Sequence, residues 1–318
     1  MGKRAYRQQP WFQQAMAVWH VVEFLLIRIF ICVVQALPLD ACEKLSNRLG
    51  TFFYRVVKMR RKTTLENIQH AFPQLSPEGC DVLAERMWQH LLLLVCEVAH
   101  LPLKVRLTNW RKYMRMENMK PLAEALLNDR PVMICSAHFG NFELAGYMLG
   151  VMGFQVHSVA RALDNPYLDR YVTRFRGSQG QHLIPKRGGA EEMVSLLTSG
   201  GNLGILADQY AGRKGCWVDF FGRPASAHKA IAVLVMSHQT QLLVGGARRM
   251  GGPLEYEIFI SAHTDPLEDR PEVANVKSLT QWYTTQVEDF IRRNPEQYWW
   301  LHNRWRDHRA PRALKVAA

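Results

Sequence analysis

From about residue 119 onward, the apolar positions switch between two periods, which predicts helices alternating with strands. Residues 119–130 (MKPLAEALLNDR) have helical spacing, and the next eight (PVMICSAH) form a short apolar run that ends at His138. The pattern predicts further helices over 141–152, 189–201, 230–239 and 276–294, and strands over 154–161, 202–208, 241–248 and 254–262. Such alternation indicates an α/β fold, with a central, mostly parallel sheet flanked by helices.

An apolar stretch precedes this region, at residues 15–37 (AMAVWHVVEFLLIRIFICVVQAL). It is long enough to cross a bilayer, but His20, Glu23 and Arg28 interrupt it, and a charge at mid-membrane costs about 2.5–3.5 kcal/mol. Three interpretations stay open: an anchoring helix in the membrane interface, which we favour, a single membrane span, and a buried helix of a soluble fold. We therefore divide the chain into an apolar anchor with a basic flank (1–58) and a main domain (59–318).

The positive charge of the chain is concentrated around this apolar stretch. The whole chain carries a formal charge of +12, and residues 1–62 contain eleven Lys and Arg against three acids. Basic residues beside an apolar segment favour an anionic membrane face, at about 1 kcal/mol each. No helix-turn-helix, zinc-finger or RRM signature is present, so we do not expect nucleic acid as a partner. The six cysteines include no C-x-x-C pair, which predicts reduced thiols and no metal site.

Two of the predicted strands end in side chains that can take part in catalysis, His138 and Asp208. In sheets of this kind, ligands bind beyond the carboxyl ends of the strands. Glu143 follows His138 by five residues, on the first turn of a predicted helix, and Gly140 permits a tight turn between them. A carboxylate at that distance can fix the imidazole tautomer and stabilise the imidazolium. Taken alone, however, such a pair is more often a structural histidine with a satisfied hydrogen bond.

The sequence around His138 resembles the H-x4-[DE] signature of the glycerolipid and lysophospholipid acyltransferase superfamily. Its surroundings look like the branch of late acyltransferases of lipid A biosynthesis, in which the second motif residue is commonly Glu. Five segments carry this resemblance, in order: RRKTTLENIQHAFPQLS (60–76), HFGNFE (138–143), ARALDNPYLD (160–169), ADQYAGRKGCWVDFFGRPAS (207–226) and NPEQYWWLHNRWR (294–306). The resemblance implies that His138 deprotonates the acceptor hydroxyl while Glu143 orients the imidazole.

Further site residues are implied by the same segments. The backbone amides of Asn141 and Phe142 are candidates for an oxyanion hole, because the first N–H groups of a helix lack partners within it. Arg161 is a candidate to bind a phosphate or to pair with Asp208. The competing interpretations are a surface turn at Asp-Asn-Pro and core packing of the aromatics. The candidates for substrate binding are Arg161, Asp164, Asn165, Asp208, Gln209, Phe221, Ser226 and Arg304.

The resemblance implies an enzyme that transfers a fatty acyl chain to a hydroxyl of a lipid A precursor or a related glycolipid. The donor would be acyl carrier protein or acyl-CoA, and no cofactor is expected. The enzyme would lie on the bacterial inner membrane with its active site facing the cytoplasm, and 59–318 would be its acyltransferase domain. A lysophospholipid or a mannosylated glycolipid is the alternative acceptor. The competing class of function is a non-catalytic protein that binds anionic membrane surfaces.

Overall fold

The structure, a computed structural model, describes residues 10–178 and 180–306. Its strands are β1 (Met114–Glu117), β2 (Val132–Ser136), β3 (Val156–Ala160), β4 (Gln181–Pro185), β5 (Leu203–Leu206), β6 (Cys216–Phe220), β7 (Arg223–Ala227), β8 (Gln241–Arg249) and β9 (Tyr256–Thr264). Its α-helices are α1 (Pro10–Ala36), α2 (Leu39–Phe52), α3 (Arg61–Ala71), α4 (Pro77–Lys104), α5 (Lys120–Leu126), α6 (Phe142–Val151), α7 (Pro166–Gly177), α8 (Ala190–Thr198), α9 (Ala230–Ser237) and α10 (Val276–Arg293).

Seven strands form one sheet in the order β1-β9-β8-β2-β5-β3-β4, while β6 and β7 form a separate hairpin. Neighbouring strands in the large sheet run parallel, except for the antiparallel pair of β8 and β9. The predicted fold class is confirmed. Strand β2 lies between β5 and β8, and Ser136 pairs with Leu206 across the β2–β5 ladder. The residues that follow these two strand ends are therefore brought together in register.

A long helix, α4, connects this sheet to the N-terminal helices. Ser76 caps its first turn by accepting a hydrogen bond from the Gly79 amide at 3.1 Å, as its position before Pro77 predicts. Helix α2 packs against α4 so closely that a Cβ on Gly50 would lie 2.6 Å from Gln89 Cα. Residues Leu39–Phe52 therefore form part of the folded body, and α1 is the element that projects from it.

Helix α1 is long and apolar enough to cross a membrane, and only 6% of its most apolar window is buried. The interpretation of a buried core helix is therefore wrong. Its interrupting polar residues instead meet α7: Asn165 Nδ2 donates to Glu23 Oε2 at 2.8 Å, and the Arg28 guanidinium lies 4.5 Å from the centre of the Tyr171 ring. These partners turn the charges toward protein and leave the apolar side chains outward. An exposed apolar face of this extent is typical of an interaction surface, either for a membrane or for another protein.

Candidate active site

The site begins with His138 and Asp208, which lie two residues beyond the paired ends of β2 and β5. Asp208 Oδ1 lies 2.8 Å from His138 Nδ1, and Asp208 Oδ2 accepts a hydrogen bond from the His138 backbone amide at 3.1 Å. The carboxylate therefore binds both the ring and the main chain of the histidine. Both groups are largely buried, but the imidazole retains 15% of its surface exposed to solvent.

The protonation of this pair follows from its contacts. Burial alone would raise the pKa of Asp208, but the neighbouring His138 outweighs it and lowers that pKa below its usual value. For His138, burial lowers the pKa and Asp208 raises it, with a net shift upward. An ionised Asp208 can only accept, so Nδ1 carries a proton and Nε2 is the basic nitrogen of the neutral ring. This arrangement suits a general base whose basicity is increased by its carboxylate partner.

The loop after His138 is held on several sides. Gly140 has a φ of +54°, and a Cβ there would lie 1.7 Å from Ala247 O. Its amide donates to Gln297 O at 2.9 Å, and the Trp299 amide donates to His138 O at 3.0 Å. Glycine is thus required at position 140 by both the conformation and the close approach of β8.

A histidine from α4, His90, also contacts this loop, with Nε2 at 3.2 Å from Gly140 O. Burial and the nearby Arg249 lower the pKa of His90 to about 3. The ring is therefore neutral, and Nε2 donates its proton to the carbonyl oxygen. The sequence gives no spacing signal that would have linked His90 to the loop, because fifty residues separate them.

The motif carboxylate, Glu143, has a different partner from the one implied. Both of its oxygens accept from the guanidinium of Arg176 in α7, with Nε to Oε2 at 3.0 Å. Among the described residues no hydrogen bond joins Glu143 to His138, and the imidazole is oriented by Asp208. The charge of Glu143 nevertheless lies near enough to help raise the pKa of His138. Arg176 is a site residue that the sequence analysis missed.

The two candidate oxyanion amides differ in availability. The Asn141 amide donates to Ala247 O at 2.9 Å, so its place in an oxyanion hole is wrong. The Asn141 side chain caps α6 by accepting from the Leu144 amide. The Phe142 amide, at the first position of α6, has no acceptor within the part of the chain that the structure describes. It remains a candidate donor, since the first amides of a helix lack internal partners.

A small, largely apolar pocket opens at His138. The rings of Phe142 and Trp299 each pack edge-on against the imidazole, with centroids 5.2 Å away. Helix α4 supplies the facing wall with Met87, Leu91 and Leu94. An apolar wall beside a basic nitrogen fits a substrate with a hydrocarbon chain and a reactive polar end.

The Arg161 segment makes no hydrogen bond or ion pair with His138 or Asp208 among the described residues. Arg161 pairs with Asp164 at 3.0 Å and both side chains are largely exposed, so the pairing of Arg161 with Asp208 is wrong. The physical reason is burial: the Arg161 side chain is 76% exposed beside its local partner Asp164, whereas the Asp208 side chain is buried against His138. Asn165 is buried: it caps α7 and donates to His20 O and Glu23 on α1. The competing interpretation of Asp-Asn-Pro as a surface turn is thus wrong, because Asn165 and Pro166 begin a helix.

The remaining candidates lie mostly in the core. Phe221 is 5% exposed and packs among Phe72, Phe220 and Trp300. The buried Ser226 hydroxyl donates to Gly212 O. Arg304 is 3% exposed and donates to Ser226 O, so it is packed in the core and is not free to meet substrate. Gln209 is half-buried directly after Asp208.

The fold and the site together define an α/β enzyme with a carboxylate-supported histidine beside an apolar pocket. A family model described as "Bacterial lipid A biosynthesis acyltransferase" matches residues 10–307, so the chain belongs to this family. It is 24% identical over 282 residues to the "Lipid A biosynthesis palmitoleoyltransferase" of Escherichia coli (strain K12), covering 85% of this chain and 86% of that protein. It is 23% identical over 278 residues to the "Lipid A biosynthesis lauroyltransferase" of the same strain, covering 86% and 88%.

Among solved structures, the chain is similar to the 1-acyl-sn-glycerophosphate acyltransferase PlsC from Thermotoga maritima. The TM-score is 0.37 and the identity 12%, over 81% of this chain and 99% of that one. Acyltransferase activity in lipid A biosynthesis thus follows from the family and its named relatives. An acyl donor and a lipid acceptor are implied by that activity.

Proposed function

We propose that the protein transfers a fatty acyl chain from acyl carrier protein, or from acyl-CoA, to a hydroxyl of a lipid A precursor. The observation that carries this proposal is the hydrogen bond between Asp208 and His138 Nδ1, which leaves Nε2 as a base at an apolar pocket. The names of the relatives support the acceptor class. The surplus of positive charge complements acidic acyl carrier protein, the phosphates of CoA and an anionic lipid surface.

In the proposed reaction, His138 Nε2 removes the proton of the acceptor hydroxyl while Asp208 holds the ring. The hydroxyl oxygen attacks the thioester carbonyl carbon, and the carbonyl oxygen becomes an oxyanion. The Phe142 amide is proposed to donate to this oxyanion. When the carbon–sulfur bond breaks, the imidazolium returns its proton to the leaving thiolate. The ester product and a free thiol are formed, and His138 is neutral again.

We propose that Glu143 contributes through its ion pair with Arg176. This pair joins α6, which begins beside His138, to α7, which contacts α1. The two side chains are only 17% and 21% exposed, so the removal of one partner would destabilise the fold more than it would at a surface ion pair. Asn165, at the other end of α7, holds the apolar helix, so one helix connects the membrane-facing element to the catalytic loop. The exposed pair of Arg161 and Asp164 and the half-buried Gln209 are proposed to meet substrate headgroups.

The proposal is tested with the membrane-bound protein, acyl carrier protein thioesters of several lengths, and the corresponding acyl-CoA. The acceptors are a lipid A precursor, a lysophospholipid and a mannosylated glycolipid, and products are identified by mass. We expect thiol release together with acylation of the lipid A precursor. A product only from another acceptor would revise the substrate. If no thioester is consumed with any donor, the chain is a non-catalytic membrane binder and the proposal fails.

We propose that α1, within residues 1–58, anchors the protein to the inner membrane, with the acyltransferase domain, 59–318 together with the α2 that packs on it, in the cytoplasm. The exposed side of α1 carries large apolar residues, among them Leu25, Leu26 and Ile29. Helix α4 both lines the pocket and contacts α1, with Gln35 Nε2 donating to Ala99 O at 2.7 Å. The pocket is thus built on the same helix that supports the apolar element, which suits an acceptor drawn from the membrane.

Replacing Leu25, Leu26 and Ile29 together with Glu is expected to move the protein from the membrane pellet to the supernatant. Each charge in an inserted helix costs up to about 2.5–3.5 kcal/mol, and none of these side chains is buried in the fold. The measurement is sedimentation with vesicles that contain anionic phospholipid. The matched control carries Glu at Leu127, Met250 and Leu267, which are exposed outside α1. If the α1 variant still sediments like the control, α1 is not the membrane anchor.

A further inference from the structure

The segment that follows α10 reaches back to the catalytic loop, and the side chain of Gln297 attaches it to the end of β8. Its Oε1 accepts from the Arg249 amide at 2.7 Å, and its Nε2 donates to Arg249 O at 3.0 Å. The side chain thereby pairs with the end of β8 as a neighbouring strand would. It is 7% exposed, so both hydrogen bonds are protected from water.

The main chain of the same segment binds the loop that carries His138. Gln297 O accepts from the Gly140 amide at 2.9 Å, and two residues later the Trp299 amide donates to His138 O at 3.0 Å. Between them, Phe139 and Tyr298 form an antiparallel bridge. The loop is therefore attached to this segment on both sides of Phe139, and it has no strand of its own there.

Arg249 is itself held by buried polar contacts. Its guanidinium pairs with the fully buried Glu97 of α4 at 2.9 Å and contacts the Tyr256 hydroxyl at 2.8 Å. Glu97 also accepts from the Leu254 amide and the Tyr256 hydroxyl. Connections therefore run from α4 through Arg249 to Gln297, and from Gln297 to the loop. The two hydrogen bonds between the Gln297 side chain and Arg249 therefore connect these buried contacts to the catalytic loop.

We propose that Gln297 is a positioning residue for acyl transfer. Through the segment 297–299, it fixes the position of the His138 loop relative to the pocket. This inference depends on the proposed function, because it concerns the same catalytic base. A base must lie within hydrogen-bonding distance of the proton that it removes, and a displacement of about 1 Å can cost about 10²-fold in rate. The bond between His138 and Asp208 does not involve Gln297, so the basicity of the imidazole stays unchanged when Gln297 is replaced.

The main test replaces Gln297 with methionine, which has a similar shape but makes neither hydrogen bond. We expect kcat per folded molecule to fall by 10- to 100-fold, in line with the sensitivity of rate to a small displacement. Because Gln297 also lines the pocket, KM does not separate positioning from binding, and the second readout is the pH at which activity reaches half of its maximum, which is expected to stay as in the wild type. Gln74→Ala, at an exposed glutamine, is the control for handling and folding.

A second variant, Gln297→Glu, separates positioning from a general loss of stability. A protonated carboxyl can accept from the Arg249 amide and donate to Arg249 O, as the amide does, whereas a carboxylate can only accept. The kcat of this variant relative to wild type should therefore rise as the pH falls. The same ratio for Gln297→Met should not vary with pH. All rates are taken per folded molecule, with folding followed by thermal unfolding.

The outcomes are distinct. If the wild type transfers acyl groups and Gln297→Met keeps the wild-type kcat per folded molecule, the positioning role is refuted while the proposed function stands. A lowered unfolding temperature with unchanged kcat assigns Gln297 a purely structural role, which also refutes the proposal. Inactivity of the wild type itself refutes the proposed function first.

Discussion

Asp208→Asn is expected to lower kcat for acyl transfer by up to about 10⁴-fold, the scale of loss when the carboxylate behind a catalytic histidine becomes an amide. Asp208 accepts from both the ring Nδ1 and the backbone amide of His138. An asparagine offers one acceptor and one donor in the same place, so the ring can be held with Nδ1 unprotonated and Nε2 no longer basic. The measurement is thiol release under saturating donor and acceptor.

The matched control for this change is Asp129→Asn. Asp129 is exposed and its side chain makes no hydrogen bond or ion pair within the described residues. Its variant should keep wild-type activity. A loss at Asp208 of less than tenfold would contradict the orienting role, provided that thermal unfolding shows the variant to be folded.

His138→Gln should abolish most of the transfer, with an expected loss of about 10²–10⁴-fold in kcat from removal of the general base. Glutamine keeps a polar side chain of similar length, so the neighbouring rings of Phe142 and Trp299 retain a partner for packing. Sedimentation with anionic vesicles should be unchanged, because none of the contacts of His138 among the described residues is with α1. The assay therefore separates catalysis from membrane binding in one variant.

His182→Gln serves as the control for His138→Gln. His182 is exposed on β4 and stacks on His157 at 4.9 Å. We expect wild-type activity from this variant. Wild-type transfer by His138→Gln would mean that another group removes the proton, and the assignment of the base would be wrong.

Most of the fold was accessible from the sequence because strands and helices differ in the period of their apolar residues. The apolar runs of β2 and β5 were predicted, but the strands end at Ser136 and Leu206, two residues before His138 and Asp208. What local patterns do not encode is which strands are neighbours. Strand β5 lies between β2 and β3, so Asp208 had two possible partners, His138 and Arg161. Which of the two binds Asp208 depends on long-range strand pairing, and in the structure the partner is His138.

The partner of Glu143 was missed for a related reason. Arg176 lies in the last turn of α7, a helix that was not predicted, because Asn165-Pro166 was considered only as part of a binding site or as a surface turn. The same residues that favour a turn, Asp, Asn and Pro, also cap and begin a helix. Without α7, no basic residue could be placed opposite Glu143. The contacts of the buried Gln297 were also not predictable, because they are made with backbone groups far away in sequence.

The central claim, that Asp208 is the carboxylate that supports the base, is tested most directly by the pH dependence of kcat/KM. Activity should rise with pH as His138 loses its proton, and Asp208 raises the pKa at which it does so. Asp208→Asn should therefore shift the acidic limb to lower pH. Glu143→Gln should shift it less, because Glu143 affects His138 through its charge alone. A limb that moves with Glu143→Gln and stays in place with Asp208→Asn would contradict the account.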